Sequence, residues 1–244
     1  AIASPRGSLE TAFALRHLAG AERVFAAVPE REAHATARMA ALLARYTPAS
    51  LARIERADAA LVLGEDLTGT APRAALALRQ TARRAADRLA EEKGVPVWLD
   101  NAARVAGEGR RSPIALVTAL PDALDEIATV PLRRTPAEIA RFGHDVAAAL
   151  NGDRVRDGEA RAVAEALAQS DEPVVIAGFG TGRGDVAEAA AAVAAALDGK
   201  AALALFPAEA NSLGLSLIAP QGIEGAVRAL ETGAAKTAIV AEAD

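Results

Sequence analysis

The stretch that decides the fold is Asp58-Ala59-Ala60-Leu61-Val62-Leu63-Gly64-Glu65-Asp66. Its apolar middle has the length and composition of a buried strand, and Gly64 ends that strand. Similar short apolar runs recur along the chain, at 24–27, 97–99, 114–117, 173–177, 201–205 and 237–241. Helical patterns separate them, and such alternation is typical of a parallel sheet covered by helices. The sequence therefore predicts an α/β fold with a doubly wound, mostly parallel, Rossmann-like sheet and helices on both faces.

The predicted helices have recognisable starts and stops. Thr135, Pro136 and Glu138 combine a capping box with a proline at the first helical position. Periodicity and the flanking glycines or prolines place helices at 8–19, 31–46, 71–93, 135–150, 158–169, 185–197 and 223–232. We predict a loop at 104–113.

Composition excludes several classes of function. The 244 residues are 52% apolar and 3% aromatic, and 27 Lys and Arg stand against 32 Asp and Glu, a net charge of -5. Charges of both signs are mixed along the chain, which argues against a nucleic-acid groove or a polybasic membrane contact. There is no cysteine, as expected in a reducing compartment, and the sequence predicts a soluble, cytoplasmic protein. Because the chain starts at Ala1 and stops just after an apolar run, we expect it to be part of a longer polypeptide.

A glycine-rich turn is the most conspicuous local motif. Gly178-Phe179-Gly180-Thr181-Gly182-Arg183-Gly184 follows a predicted strand and precedes a helix, as phosphate-binding loops do. Arg183 stands where a dinucleotide fingerprint needs its third glycine, and no Walker lysine follows. Two interpretations stay open, a plain β–α turn and an NAD site.

The sequence offers no catalytic or metal-binding constellation. His17, His34 and His144 lie on separate predicted helices, without the spacing that converges on a metal ion. The carboxylate pairs fall on charged helix faces, and neither a nucleophile elbow nor a thiol is present. We expect no catalytic residue and no metal ligand in this chain.

Four segments, taken in order, resemble the molybdopterin oxidoreductases. They are the strand, turn and helix at 58–80, the strand and glycine turn at 174–180, the Asn-x-x-Gly segment at 211–214, and the turn and acidic helix at 2–10. Within that superfamily the chain is most similar to the family of large iron–sulfur subunits, the G subunits, of bacterial NADH:quinone oxidoreductase, respiratory complex I. Ser4-Pro5-Arg6 and the runs at 61–70 and 76–80 carry this likeness.

Departures from the superfamily pattern imply a vestigial pterin groove. Residues 24–36 contain neither Cys nor Ser, the residue types that ligate molybdenum in active members. Glu65-Asp66-Leu67 replaces the usual Asn-Pro and puts carboxylates where a pyrophosphate would lie, which costs energy in a desolvated groove. The unoccupied groove is expected at Gly64, Glu65, Asp66, Thr70, Pro72, Asp100, Gly178, Gly180 and Asn211.

The resemblance also implies a role and an organisation. Iron–sulfur clusters upstream of Ala1 in the parent subunit would pass electrons from NADH toward quinone, and this portion would be an inactive scaffold. Its expected partners are that upstream region and other complex I subunits, in the peripheral arm at the inner face of the plasma membrane. Residues 24–205 would form one Rossmann-like lobe, and 1–23 with 206–244 parts of a second. The alternatives are a free-standing nucleotide- or NAD-binding enzyme and a fragment of an active molybdopterin oxidoreductase.

Overall fold

A computed structural model describes residues 1–46 and 48–242; Thr47, at the end of a predicted helix, and Ala243 and Asp244, at the end of the second predicted lobe, lie outside the described residues. The chain divides into two compact units. The smaller unit comprises Ala1–Arg45, Gly182–Asp185 and Pro207–Asp244, and the larger comprises Tyr46–Thr181 and Val186–Phe206.

Strands and helices alternate along the described residues. The strands are β1 (Ile2–Ala3), β2 (Phe25–Ala26), β3 (Ala59–Leu63), β4 (Ile114–Thr118), β5 (Val130–Arg133), β6 (Pro173–Gly178), β7 (Ala202–Phe206) and β8 (Val240–Ala241). The helices are α1 (Leu9–Ala19), α2 (Glu30–Leu43), α3 (Leu51–Arg56), α4 (Leu67–Thr70), α5 (Pro72–Glu92), α6 (Asp100–Ala106), α7 (Pro136–Leu150), α8 (Gly158–Gln169), α9 (Asp185–Ala196), α10 (Ser212–Ile218) and α11 (Ile223–Glu231). Short 3-10 helices occupy Ala21–Arg23 and Ala123–Glu126.

The larger unit is built on a sheet in which every pairing is parallel. Its strand order is β5-β4-β3-β6-β7, so β3 is the middle strand. From β3 the chain first adds strands on one side and then, from β6 onward, on the other. The point where the direction reverses lies between β3 and β6, and in sheets of this kind ligands bind beyond the carboxyl ends of the strands at that point.

Helices cover both faces of this sheet. Val62 and its neighbours on one face form an apolar cluster with residues of α3 and α5, among them Ile54 and Leu78. On the other face α7 approaches so closely that a Cβ at Gly143 would lie 2.9 Å from both Leu63 Cδ1 and Ala189 Cβ of α9. All five residues of β3 are buried, as a central strand requires. The prediction of a doubly wound, Rossmann-like α/β fold is confirmed.

The smaller unit has its own parallel sheet, in the order β2-β1-β8. Phe25 pairs with Ile2 in this sheet, and α2 packs on α10 in the same unit. Residues 24–45 and 182–185, which the sequence assigned to the first predicted lobe, belong to the smaller unit, and Phe206, assigned to the second, belongs to the larger. A two-residue strand carries no sequence signal for the sheet it will join.

Two short segments were predicted wrongly and one strand was missed. Residues 97–99 form a turn, not a strand, with Leu99 N donating to Pro96 O at 3.0 Å, and α6 occupies part of the predicted loop. The strand β5 was missed because Val130–Arg133 is partly exposed and contains Pro131, which breaks an apolar run. As an edge strand β5 tolerates that proline.

Asp58 joins the amino ends of β3 and β6. Its carboxylate accepts hydrogen bonds from Asp171 N at 3.0 Å, Glu172 N at 2.8 Å, Arg88 Nη1 at 2.9 Å and the Ser170 hydroxyl. Burial alone would raise the pKa of Asp58, but these donors outweigh it and the pKa is lowered. The ionised carboxylate therefore stabilises the junction between the two halves of the sheet.

We expect Asp58→Ala to lower the free energy of unfolding by about 1–3 kcal/mol at neutral pH, because four donors lose their acceptor. Since the folded pKa is lowered, this contribution is present above the ordinary Asp pKa and is lost as the pH falls through the folded value. Urea unfolding at a series of pH values measures both effects. Exposed Asp153, replaced by Asn, is the matched control, and a deficit that does not shrink in acid would contradict the assignment.

Candidate functional site

The residues after β3 lie where ligands bind in doubly wound sheets. Gly64 ends the strand with φ +68°, a backbone conformation that side chains rarely adopt. This turn directs Glu65 into the protein, where the residue is 1% exposed. A buried carboxylate thus stands beyond the carboxyl end of the middle strand.

Glu65 is held by hydrogen bonds from both sides of the reversal point. Thr70 Oγ1 donates to Oε1 at 2.6 Å, and Gly180 N donates to Oε2 at 2.8 Å. The Glu65 side chain fills the space beside Gly178, where a Cβ would overlap its carboxylate. At Gly180 a Cβ would lie 2.8 Å from Gly64 O. Gly178, the last residue of β6, and Gly180 therefore both allow the close approach of Glu65 and its turn.

Asp66, the second predicted groove carboxylate, caps the short helix α4. Its Oδ1 accepts from Thr68 N at 2.9 Å and Gly69 N at 3.2 Å, and from the Thr68 hydroxyl at 2.5 Å. The hydrogen bond from the Thr68 hydroxyl is the main cause that lowers the pKa of Asp66, and the two backbone donors add to it. Asp66 is therefore ionised at neutral pH and occupied within its own turn.

A third carboxylate, which sequence reasoning missed, contributes to the electrostatics of this edge. Asp122 follows β4, and burial together with Asp66 and Asp125 raises its pKa. Burial also raises the pKa of Glu65 against its two hydrogen bonds, with Asp66 and Asp122 adding to the increase. The Pro121-Asp122 pair just beyond a predicted strand was the signal available in the sequence. Because the folded state holds the Glu65 proton more tightly than the unfolded chain does, the contribution of Glu65 to stability falls as the pH rises above the ordinary Glu value.

The remaining predicted groove residues have separate structural positions. Pro72 is the first residue of α5. Asp100 begins α6, and its carboxylate accepts a hydrogen bond from Arg83 Nη2 at 2.7 Å. Arg83 lies on α5, about three turns along the helix from Pro72. Asn211 belongs to the smaller unit, where its Nδ2 donates to Gly7 O at 2.9 Å. The structure thus gathers Gly64, Glu65, Thr70, Gly178 and Gly180 into one contact set, with Asp66 beside it, and Asp100 stands apart.

The described residues contain no group of three or more His, Cys, Asp or Glu side chains that could hold a metal ion. His34, one of the three histidines considered in the sequence, pairs with Glu30 at 3.0 Å on the surface of α2. None of the described helices is both long and apolar enough to span a bilayer.

Comparison with curated proteins finds relatives among the G subunits of NADH-quinone oxidoreductases. Over its whole length the chain is 35% identical to the G subunit of Pseudomonas fluorescens, 36% to that of Pseudomonas putida and 35% to that of Escherichia coli K12. The chain spans 28% of the length of each of these relatives. No family model matches the chain.

A solved structure resembles the fold. The crystal structure of the formyltransferase/hydrolase complex from Methylorubrum extorquens, in complex with methylofuran, aligns with a TM-score of 0.52 over 84% of this chain and 52% of that one. Sequence identity is 14%, so the likeness bears on the fold alone.

We expect Gly178→Ala to destabilise the protein by about 1–3 kcal/mol, because the added methyl group overlaps the buried Glu65 side chain. Combined with Glu65→Ala, the loss should be smaller than the sum of the two single losses, since the second change removes the overlap. Chemical denaturation of the four proteins of this cycle measures the coupling. Gly158→Ala, at an uncrowded position at the start of α8, is the control. Strict additivity would contradict the packing described for Glu65.

Proposed function

We propose that this chain, which is homologous over its whole length to part of the G subunit of NADH-quinone oxidoreductase, is a non-catalytic scaffold region of that large iron–sulfur subunit in bacterial respiratory complex I. The resemblance to this family predicted from the sequence is confirmed by these relatives. The chain spans 28% of the length of these relatives. Any part that it takes in the activity of the whole subunit is therefore a proposal.

The observation that carries the scaffold role is the position of Glu65. In a doubly wound sheet a phosphate or pyrophosphate binds backbone N–H groups beyond the strand at the reversal point. Here the Gly180 N–H already donates to Glu65 at 2.8 Å, so a carboxylate of the chain takes the position of a ligand anion. We infer that the pterin groove of the resembling superfamily is vestigial in this chain.

Electrostatics supports the same inference. Burial is the main cause that raises the pKa values of Glu65 and Asp122, and nearby carboxylates add to both increases, so their negative charges act on a shared region. A pyrophosphate brought to this edge would meet those charges in a partly desolvated setting, at a cost of several kcal/mol. The predicted groove residues then have structural roles in this chain. Asp66 caps α4, Gly178 and Gly180 allow the close approach of Glu65, Asp100 pairs with Arg83, and Asn211 binds Gly7 O.

The chemistry of the parent subunit is proposed to lie outside this chain. Iron–sulfur clusters elsewhere in the subunit would carry electrons from NADH toward quinone, as the resemblance to the complex I family implies. The units described here would support that region and contact other complex I subunits in the peripheral arm, on the cytoplasmic side of the membrane.

We expect saturating NADH or GTP to leave the thermal unfolding of the chain unchanged. A ligand present at 100 times its dissociation constant would stabilise the protein by about 2.7 kcal/mol, which a thermal-shift assay detects. Clear stabilisation by either compound would favour the nucleotide-binding alternative that uses the glycine turn. Stoichiometric molybdenum in the purified parent subunit would favour the active molybdopterin enzyme.

We expect Glu65→Ala in the parent subunit to reduce the amount of assembled complex and to leave NADH:quinone turnover per assembled complex unchanged. The substitution deprives Thr70 and the Gly180 N–H of their acceptor, but it removes no group from the electron path. Native gels quantify assembly, and turnover is normalised to the iron content of the assembled complex. The surface change Asp153→Asn should alter neither quantity. Full assembly combined with a large loss of turnover would overturn the scaffold role.

A further inference from the structure

An open cavity of about 470 Å³ lies between α5 and α6 in the larger unit, away from the residues around Glu65. Its α5 wall includes Arg79, Arg83 and Asp87, and α6 contributes Asp100 and Arg104. The loop after α6 packs tightly on α5, because a Cβ at Gly107 would lie 2.7 Å from Ala86 Cβ. That packing fixes the second wall, to which Arg110 and Arg111 belong.

The cavity is strongly basic in a chain whose net charge is -5. Five arginines and two aspartates line it, an excess of three positive charges. Several arginines have partners already: Arg83 donates to Asp100 at 2.7 Å, Arg79 pairs with Glu126, and Arg111 donates to Glu126 O at 2.7 Å. The Arg83–Asp100 and Arg79–Glu126 ion pairs are both exposed, and exposed ion pairs contribute little, so an incoming anion can replace them at small cost.

Several apolar side chains on α6, and on the turn that precedes it, are exposed to solvent. Trp98, the one tryptophan of the sequence, is 78% exposed, and Val105 is also 78% exposed. Val97 and Leu99 are exposed to lesser degrees, whereas Ala103 is the residue of α6 that is buried. Trp98 lies two residues before Asp100, and Val105 directly follows Arg104, so both are close in the chain to residues that line the cavity.

This combination is typical of a protein interface. Tryptophan and arginine are enriched among the residues that contribute most to binding between proteins, and clustered exposed apolar side chains mark such surfaces. A free small anion would use the arginines and leave Trp98 and Val105 in water. An acidic protein segment with apolar side chains satisfies both parts of the surface.

We propose that the arginine–tryptophan surface, formed by Arg79, Arg83, Arg104, Arg110, Arg111 and Trp98, docks an acidic segment of a partner protein. Carboxylates of that segment enter the cavity between α5 and α6, and one of its apolar side chains covers Trp98. Charge complementarity selects the partner and the apolar contact holds it. The inference goes beyond the proposed scaffold role, because it names the surface that binds a partner and the chemical character of the segment that binds there.

The test uses a fluorescein-labelled peptide of alternating Glu and Leu residues and measures its fluorescence polarisation with the purified chain. We expect binding that weakens as the ionic strength rises. The pair Arg104→Glu and Arg110→Glu should weaken it by about tenfold or more, and Trp98→Ala by about tenfold. Arg104 and Arg110 are both exposed, and circular dichroism verifies that the variants fold.

Matched controls separate this surface from general charge and from a small-anion site. Arg161→Glu on α8 and exposed Leu120→Ala should leave the affinity unchanged, and a peptide with Lys in place of Glu should not bind. Absence of binding, or equal affinity for the wild type and the Arg104→Glu/Arg110→Glu protein, would overturn the proposal. Displacement of the peptide by millimolar inorganic phosphate with no effect of Trp98→Ala would identify a small-anion site instead.

A second measurement uses the assembled enzyme. A photoreactive phenylalanine replaces Trp98 in the parent subunit, and mass spectrometry identifies the cross-linked segment. We expect a segment in which Asp or Glu is interspersed with apolar residues. A basic segment, or no cross-link in a fully assembled complex, would overturn the proposal.

Discussion

The larger unit depends on the way in which the Glu65 carboxylate joins the loops that follow β3 and β6. The two strands belong to opposite halves of the sheet, and the hydrogen bond from Gly180 N to Glu65 at 2.8 Å ties their carboxyl ends together. The hydrogen bond from Thr70 at 2.6 Å holds Glu65 on the β3 side. Asp58 does the same at the amino ends. Burial raises the pKa of Glu65, so its charge is kept there at a cost to stability. A space that holds a ligand in related architectures is filled by the chain itself.

The same sheet supports two surfaces of opposite charge. Carboxylates occupy the edge beyond β3 and β4, where Glu65, Asp66 and Asp122 act on one another. Arginines line the cavity between α5 and α6. Mixed-sign charge along the sequence indicated solvated helices, and folding sorts those charges into separate regions. In the proposed scaffold role, such regions would orient neighbouring subunits by charge.

Much of the fold could be predicted from local signals, and the site could not. The helix predicted at 158–169 is α8 (Gly158–Gln169), because Asp157 caps it and its periodicity is regular. By contrast, 97–99 is apolar but forms an exposed turn, since β propensity does not report burial. The sequence singled out the acidic residues after β3. It did not reveal the hydrogen bond from Gly180 N to Glu65, because the two residues are 115 positions apart in the chain. Likewise, nothing near Phe25 reveals which sheet its strand joins.

The long stretch of chain between β3 and β6 also affects how the protein folds during synthesis. Residues of β3 leave the ribosome long before β6, and at cellular rates of synthesis the interval is on the order of ten seconds. Until β6 arrives, β3 can pair with β4 on one side, and its other side offers unpaired backbone groups. During that interval the middle strand of the finished sheet is an open edge, the form of β-structure most prone to pair with a wrong partner.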